Sequence, residues 1–179
     1  GASLPMVINM HGFTSNIQQQ IFYSGFNALA DTANAIVVYP QGLVRTLSNG
    51  TSGAHWNSHF LTDVDDLGFI DTLIDYMYTD YDVDLSRVYA TGMSNGGFMS
   101  YMLSCELSDR IAAMASVTGA MTINHFPVCN PTHPTPVMQI HGTADATVLF
   151  NGSTGFHPAI DSSVSWWKDS NNCQTTTTT

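Results

Sequence analysis

Arg87-Val88-Tyr89-Ala90-Thr91-Gly92-Met93-Ser94-Asn95-Gly96-Gly97-Phe98-Met99 is the stretch on which the fold turns. Residues 87–91 read as a strand and residues 98–107 as a helix, with Gly92-Met93-Ser94-Asn95-Gly96 between them in the pattern G-x-S-x-G. In that setting the pattern describes a nucleophile elbow, a tight strand-to-helix turn that lifts a serine hydroxyl above a sheet. The two outer glycines are required sterically, because a side chain there would meet the neighbouring strand or helix. Alone, G-x-S-x-G is a weak signal. Bracketed by a strand and a helix, it points to acyl-transfer chemistry.

Outward from the elbow, the same alternation continues in both directions. Upstream, residues 5–10 form a short apolar run ending at His11-Gly12, and residues 35–39 form a second run stopped by Pro40. Between them, Ile21, Phe22, Phe26, Leu29 and Ala30 recur near helical spacing and predict one helix over 18–34. Residues 41–61 are rich in Gly, Ser, Asn and Thr without a sustained period and read as a long loop. Thr62 to Asp65 resembles a capping box opening a helix whose buried stripe is Leu67, Ile70, Leu73, Ile74 and Met77. Downstream come apolar runs at 111–117 and 137–140, a proline-bearing loop between them, and a helix over 159–169. Strands alternating with helices predict an α/β chain built on a doubly wound, mostly parallel sheet. No repeat or second domain interrupts it. Residues 1–174 are expected to belong to one domain, with the threonine run 175–179 as an end or linker.

The 179 residues carry a formal charge of −10 and only 4 Lys and Arg together. Nucleic acids and anionic membranes need clustered cations, so neither is expected as a partner; a neutral substrate fits. No apolar run approaches membrane-spanning length. Residues 1–5 lead straight into the first strand, as in a mature or trimmed form. A surface of Ser, Thr, Asn and Asp suits a secreted protein. Cys105 and Cys129 are then free to pair, leaving Cys173 with a partner expected outside the sequence. Three free thiols in a cytosolic enzyme is the alternative. No His or Cys spacing suits a metal, and no cofactor is expected.

Ser94 is the candidate nucleophile. A serine hydroxyl needs a histidine base, which in turn needs a carboxylate to orient it. Asp145, in His141-Gly142-Thr143-Ala144-Asp145 just after a strand, is the candidate acid, in the chain order Ser then Asp. The oxyanion hole needs two donors, expected as the backbone N–H groups of Asn95 and Phe13. His11 is read as holding the loop that carries Phe13. Asp63, Asp65 and Asp66 are read as helix-capping carboxylates. His157 alone follows Asp145, ahead of the last helix and poorly placed to reach Ser94. His55, His59, His125 and His133 read as loop or surface residues. Trp56, in the long loop, is expected either to stack on an ester's acyl or aryl group or to anchor that loop.

These motifs closely resemble the extracellular polyhydroxybutyrate depolymerase-like and feruloyl-esterase-like serine esterases, which include acetyl-xylan esterases. The resemblance spans nearly the whole chain, through His11-Gly12-Phe13, Trp56-Asn57-Ser58, residues 63–70, the elbow and residues 139–145. It implies an α/β-hydrolase fold, an extracellular location and a cofactor-free esterase acting through Ser94 and Asp145. It also implies a catalytic histidine well downstream of Asp145, beyond residue 179, and strands before residue 1. The sequence is therefore expected to be the central part of a larger catalytic domain, nearly inactive by itself. The short span between Val117 and Val137 leaves no room for a large cap, so bulky or polymeric esters of the polyhydroxyalkanoate, feruloyl or acetyl kind are the expected substrates. A serine peptidase of the same fold and an inactive hydrolase-fold binding module are the rivals.

Overall fold

In the computed structural model, which describes residues 3–47, 50–59 and 62–174, the alternation read from the sequence becomes one parallel sheet flanked by helices. The opening apolar run forms β1 (Leu4–Met10). The single helix expected over 18–34 is instead two, α1 (Ile17–Ser24) and α2 (Phe26–Ala33). Gly25 separates them at φ 63°, closing α1 by donating its N–H to the Ile21 carbonyl. β2 (Ile36–Val38) follows. The expected long loop contains a small antiparallel hairpin, β3 (Val44–Thr46) with β4 (Ser52–Ala54).

α3 (Asp66–Tyr81) starts later than a capping box at Thr62 would place it, because Asp65 is the true N-cap and accepts the Gly68 N–H at 2.8 Å. Its stripe faces the core as expected, with Ile70 and Ile74 fully buried. The elbow strand β5 (Val83–Met93) is longer than its sequence signal, and α4 (Asn95–Glu106) follows Ser94 directly. β6 (Ala113–Val117), β7 (Val137–Ile140) and α5 (Ile160–Ser170) complete the described elements.

The sheet runs β2-β1-β5-β6-β7 with every neighbouring pair parallel. Side-chain alternation along β1 shows that helices cover both faces. Met6, Ile8 and Met10 enter the main core, with Ile70 and Ile74 of α3 and Met99 and Leu103 of α4. Asn9 points the other way and accepts a hydrogen bond from Gln20 of α1 at 2.7 Å. The sheet is thus doubly wound. Gly96 to Cys105 of α4 are all buried, which makes this helix the centre of the packing. Each large apolar side chain enclosed there contributes roughly 1.5–3 kcal/mol.

Cys105 at the end of α4 is disulfide-bonded to Cys129, the pairing left open by the sequence, and Cys173 is free and exposed. Closing a loop with a sequence separation of 24 residues stabilises by about 3 kcal/mol in the chain-entropy picture. No described helix is long and apolar enough to cross a membrane. The threonine run 175–179 lies outside the described residues.

Candidate active site

Parallel strands place all their C-terminal ends on one edge, and each functional segment identified in the sequence leaves the sheet there. His11-Gly12-Phe13 follows β1, Ser94 follows β5 and the Asp145 loop follows β7. Ser94 has φ 54° and ψ −116°, a left-handed backbone that a non-glycine residue adopts only under constraint. The constraint is visible. Ser94 N–H donates to the Val117 carbonyl at 2.8 Å, and its own carbonyl accepts the Phe98 N–H at 2.9 Å. A β-carbon on Gly92 would stand 2.5 Å from the Gly96 carbonyl carbon and 2.7 Å from the Met10 oxygen. One on Gly96 would run into the backbone of Met10 and His11. β1, β5 and α4 therefore meet so closely that only glycine fits at either flank of the serine.

Neither the Phe13 N–H nor the Asn95 N–H has an acceptor among the described residues, and the Ser94 hydroxyl makes no hydrogen bond there either. Phe13, Ser94 and Asn95 line one cavity of about 240 Å³. The loop that carries Phe13 is held from several directions. His11, fully buried, donates from Nδ1 to the Gly12 carbonyl at 2.8 Å and accepts the Gly42 N–H on Nε2 at 3.0 Å. Thr14 N–H donates to the Ala54 carbonyl at 2.8 Å, tying the hairpin to the loop. Burial lowers the pKa of His11, keeping the ring neutral in this bridging role.

The Asn95 side chain binds the elbow to the segment after the hairpin. Its Oδ1 accepts the Trp56 N–H at 2.7 Å, while Nδ2 donates to the Trp56 carbonyl at 3.0 Å and to Ser58 Oγ at 3.1 Å. Trp56 is only 1% exposed, and its indole N–H donates to the His11 carbonyl at 3.0 Å. Of the two roles open in the sequence, the structure favours loop anchor. Trp56 contributes to the cavity wall but has no open face for stacking.

Asp145 does not line the cavity, although Thr147 and Val148 of its loop do. Its Oδ1 accepts their N–H groups at 2.8 and 3.0 Å, which holds the carboxyl below the ordinary aspartate range. Its Oδ2 lies 3.6 Å from His141 Nε2, but that nitrogen donates to the Val148 carbonyl at 2.8 Å. Among the described residues, no imidazole bridges Asp145 and Ser94. His157 is buried, with Nδ1 donating to the Pro158 carbonyl at 2.8 Å and Nε2 sealed without a partner among the described residues.

Residues 3–177 match the phospholipase/carboxylesterase family. The chain belongs to this family. It is 34% identical over 151 residues to feruloyl esterase B of Piromyces equi, covering 83% of this chain and 27% of that protein. It is 29% identical over 152 residues to the bifunctional acetylxylan esterase/xylanase of Neocallimastix patriciarum, covering 85% of this chain and 21% of that protein. The chain thus spans about a quarter of the length of these relatives. In fold it resembles the crystal structure of Arabidopsis thaliana SOBER1, with a TM-score of 0.66 at 18% identity over 94% of this chain and 85% of that one. The architecture is that of the α/β-hydrolases.

This phospholipase/carboxylesterase chain brings Phe13, Trp56, Ser94 and Asn95 to one cavity; Asp145 does not line it but is hydrogen-bonded to Thr147 and Val148, which do. The sequence missed the rest of the lining. Phe98, Phe156 and His59 form an aromatic wall, with His59 stacked on Phe156 at a centroid distance of 4.5 Å. Phe98 had a signal, since it stands one helical turn after Ser94 and so shares its face. His55, His59 and His125 lie in loops, one of the two placements expected, but not at the surface: His55 and His59 line the cavity, and His125 is buried beside Glu106. Burial, with His157 and His55 nearby, lowers the pKa of His59 to about 4. Of the three aspartates read as caps, Asp65 is one. Asp66 is instead buried, accepts the Asn57 N–H at 2.7 Å, and has a pKa raised by that burial.

Proposed function

We propose that the chain is the central part of the catalytic domain of a secreted serine carboxylic-ester hydrolase acting on neutral esters, with feruloyl, acetyl and polyhydroxyalkanoate esters as the candidate class. The observation that carries this is the left-handed Ser94, lining one cavity with Phe13 and Asn95, whose N–H groups have no acceptor among the described residues. Ser94 Oγ attacks the ester carbonyl carbon as its proton passes to a histidine base. The carbonyl oxygen gathers negative charge between the N–H groups of Phe13 and Asn95. Collapse expels the alcohol, which takes that proton, and leaves an acyl group on Ser94. Water then repeats the sequence and releases the acid.

Asp145 orients the base, which we assign to the polypeptide outside residues 3–174. His55 faces the cavity, yet its Nδ1 is committed to the Gly53 carbonyl at 3.2 Å rather than to Asp145. The relatives, much longer than this chain, are consistent with a base supplied from elsewhere. Secretion is supported by the Cys105–Cys129 disulfide, a bond that persists in oxidising compartments. Trp56 serves the substrate as part of the cavity wall.

The test is labelling by a fluorophosphonate, read by peptide mass spectrometry, beside hydrolysis of p-nitrophenyl and feruloyl esters by the intact protein. Label on Ser94, and a loss of about 10⁴–10⁶ in rate in Ser94→Ala, are expected. An unlabelled Ser94 in a protein of confirmed full mass would overturn the proposal in favour of an inactive binding module.

A further inference from the structure

The cavity beside Ser94 is mostly apolar, so the few polar atoms reaching it set which substrates fit. His59 lines it, but its Nε2 is sealed from solvent and has no partner among the described residues, while Nδ1 is engaged with Ser58 Oγ at 2.7 Å. His55 differs. Its backbone N–H is fixed on the Leu43 carbonyl at 3.1 Å, and its ring Nδ1 lies 3.2 Å from the Gly53 carbonyl. Only a protonated nitrogen can face a carbonyl oxygen, so in the neutral ring Nδ1 carries the hydrogen and Nε2 the lone pair. Phe13 packs edge-on against the ring at 5.9 Å, and the residue is 6% exposed. Nε2 itself has no protein partner among the described residues. The result is a held ring with an unused acceptor, next to the residue whose N–H we assign to the oxyanion.

We propose that His55 Nε2 is a substrate-recognition acceptor that selects esters bearing a free hydroxyl. This rests on Ser94 as the nucleophile and narrows that assignment to a substrate class. An acceptor that bound substrate closes off from water gains from a hydroxyl donor and is left unpaired by an analogue without one, the asymmetry that gives such sites large discrimination. An apolar wall alone would separate the same pair only weakly. The donor has two possible sources: a phenolic hydroxyl on an aryl acyl group, or a hydroxyl on the alcohol portion, as in a sugar ester. Polyester segments without free hydroxyls satisfy neither.

The experiment compares kcat/KM within two matched pairs on the intact protein. Methyl 4-hydroxycinnamate against methyl 4-methoxycinnamate probes the acyl side, and 2-hydroxyethyl acetate against 2-methoxyethyl acetate probes the alcohol side. Wild type is expected to prefer the hydroxyl member of one pair by about tenfold or more. The ratio falls towards one in His55→Phe and is largely kept in His55→Gln, whose amide still accepts. Should either variant fail to fold, ¹⁵N-histidine spectra of the wild type decide. The Nε2 resonance of His55 should shift with the hydroxylated product, 4-hydroxycinnamate or ethylene glycol, of the favoured pair, and not with its methoxy counterpart. Equal rates within both pairs, or a preference that survives His55→Phe, overturns the proposal while leaving Ser94 in place. Loss of all hydrolysis together with absent phosphonate labelling overturns the esterase assignment itself.

Discussion

The side chain of Asn95 grips the backbone of Trp56 from both sides, accepting its N–H at 2.7 Å and donating to its carbonyl at 3.0 Å. Asn95, which lines the cavity, is thereby fastened to the segment that supplies His55, Trp56 and Asn57 to the same lining. Asn95→Ala keeps the backbone amide but leaves the Trp56 N–H and carbonyl without their partners. Removing one side of a partly buried hydrogen bond costs about 1–3 kcal/mol. We expect kcat/KM on a p-nitrophenyl ester to fall roughly 10–100-fold, as 1.4 kcal/mol is tenfold, and phosphonate labelling of Ser94 to slow in parallel. An unchanged rate in a folded variant would show that the clamp does not set the geometry of the hole.

Gly92 and Gly142 separate steric need from mere flexibility. A β-carbon at Gly92 would press on Gly96 and Met10, whereas one at Gly142 would meet only the Asp145 N at 4.0 Å. Forcing a methyl into backbone contacts costs about 3 kcal/mol or more, so Gly92→Ala should lower Tm by roughly 6–12 °C. Gly142→Ala should leave Tm within a degree or so. Thermal denaturation followed by circular dichroism reads both.

What could be read from the sequence was what the backbone itself enforces. The elbow was legible because Gly92 and Gly96 have no sterically tolerable substitute, and the Asp145 loop because an apolar run meets a polar turn at Ile140-His141-Gly142. The break at Gly25 was not read, because the apolar spacing of 18–34 carries across it, although a glycine inside a helical period is a break signal. The β3–β4 hairpin was not legible. Its strands are 3 residues each, and it is held by bonds to distant segments, Thr14 N–H to Ala54 and Asn95 to Trp56. The aromatic wall joins Phe98 of α4 with His59 and Phe156 from separate loops, a meeting that local periodicity does not encode. The same loops bury His55, whose polar side chain gave no sign of enclosure, while Trp56 takes the loop-anchor role that was one of its two expected readings.

Asp145 offers a sharper test of mechanism than of stability. The Thr147 and Val148 N–H groups hold its carboxyl below the ordinary range, with His141 adding a smaller effect. A depressed carboxylate stays ionised above its unfolded value of about 3.9 and is lost only as pH falls through the lower folded value. Any decline in activity above pH 4 therefore belongs to another group. Asp145→Asn keeps an oxygen for the two N–H donors, so the loop should persist while kcat falls about 10⁴-fold. Asp63→Asn, at an exposed position before α3, should stay within twofold of wild type. Steady-state kinetics on the two variants distinguishes an orienting acid from a turn-former.

His59 ties the cavity wall to pH. Burial is the main cause that lowers its pKa to about 4, with His157 and His55 adding to it. Its value in the unfolded chain is about 6.5, so between the two values the unfolded state binds the extra proton. Stability from the neutral, stacked ring is then complete above pH 6.5 and is lost progressively as pH falls towards 4. The full effect is on the order of 3 kcal/mol. His11 and His125, also lowered by burial, act in the same direction. Urea midpoints of the wild type should therefore drop between pH 7.5 and 4.5. In His59→Phe, which keeps a ring against Phe98 and Phe156 but cannot take a proton, the drop should be clearly smaller. Parallel pH profiles for the two proteins would mean that the acid sensitivity lies elsewhere.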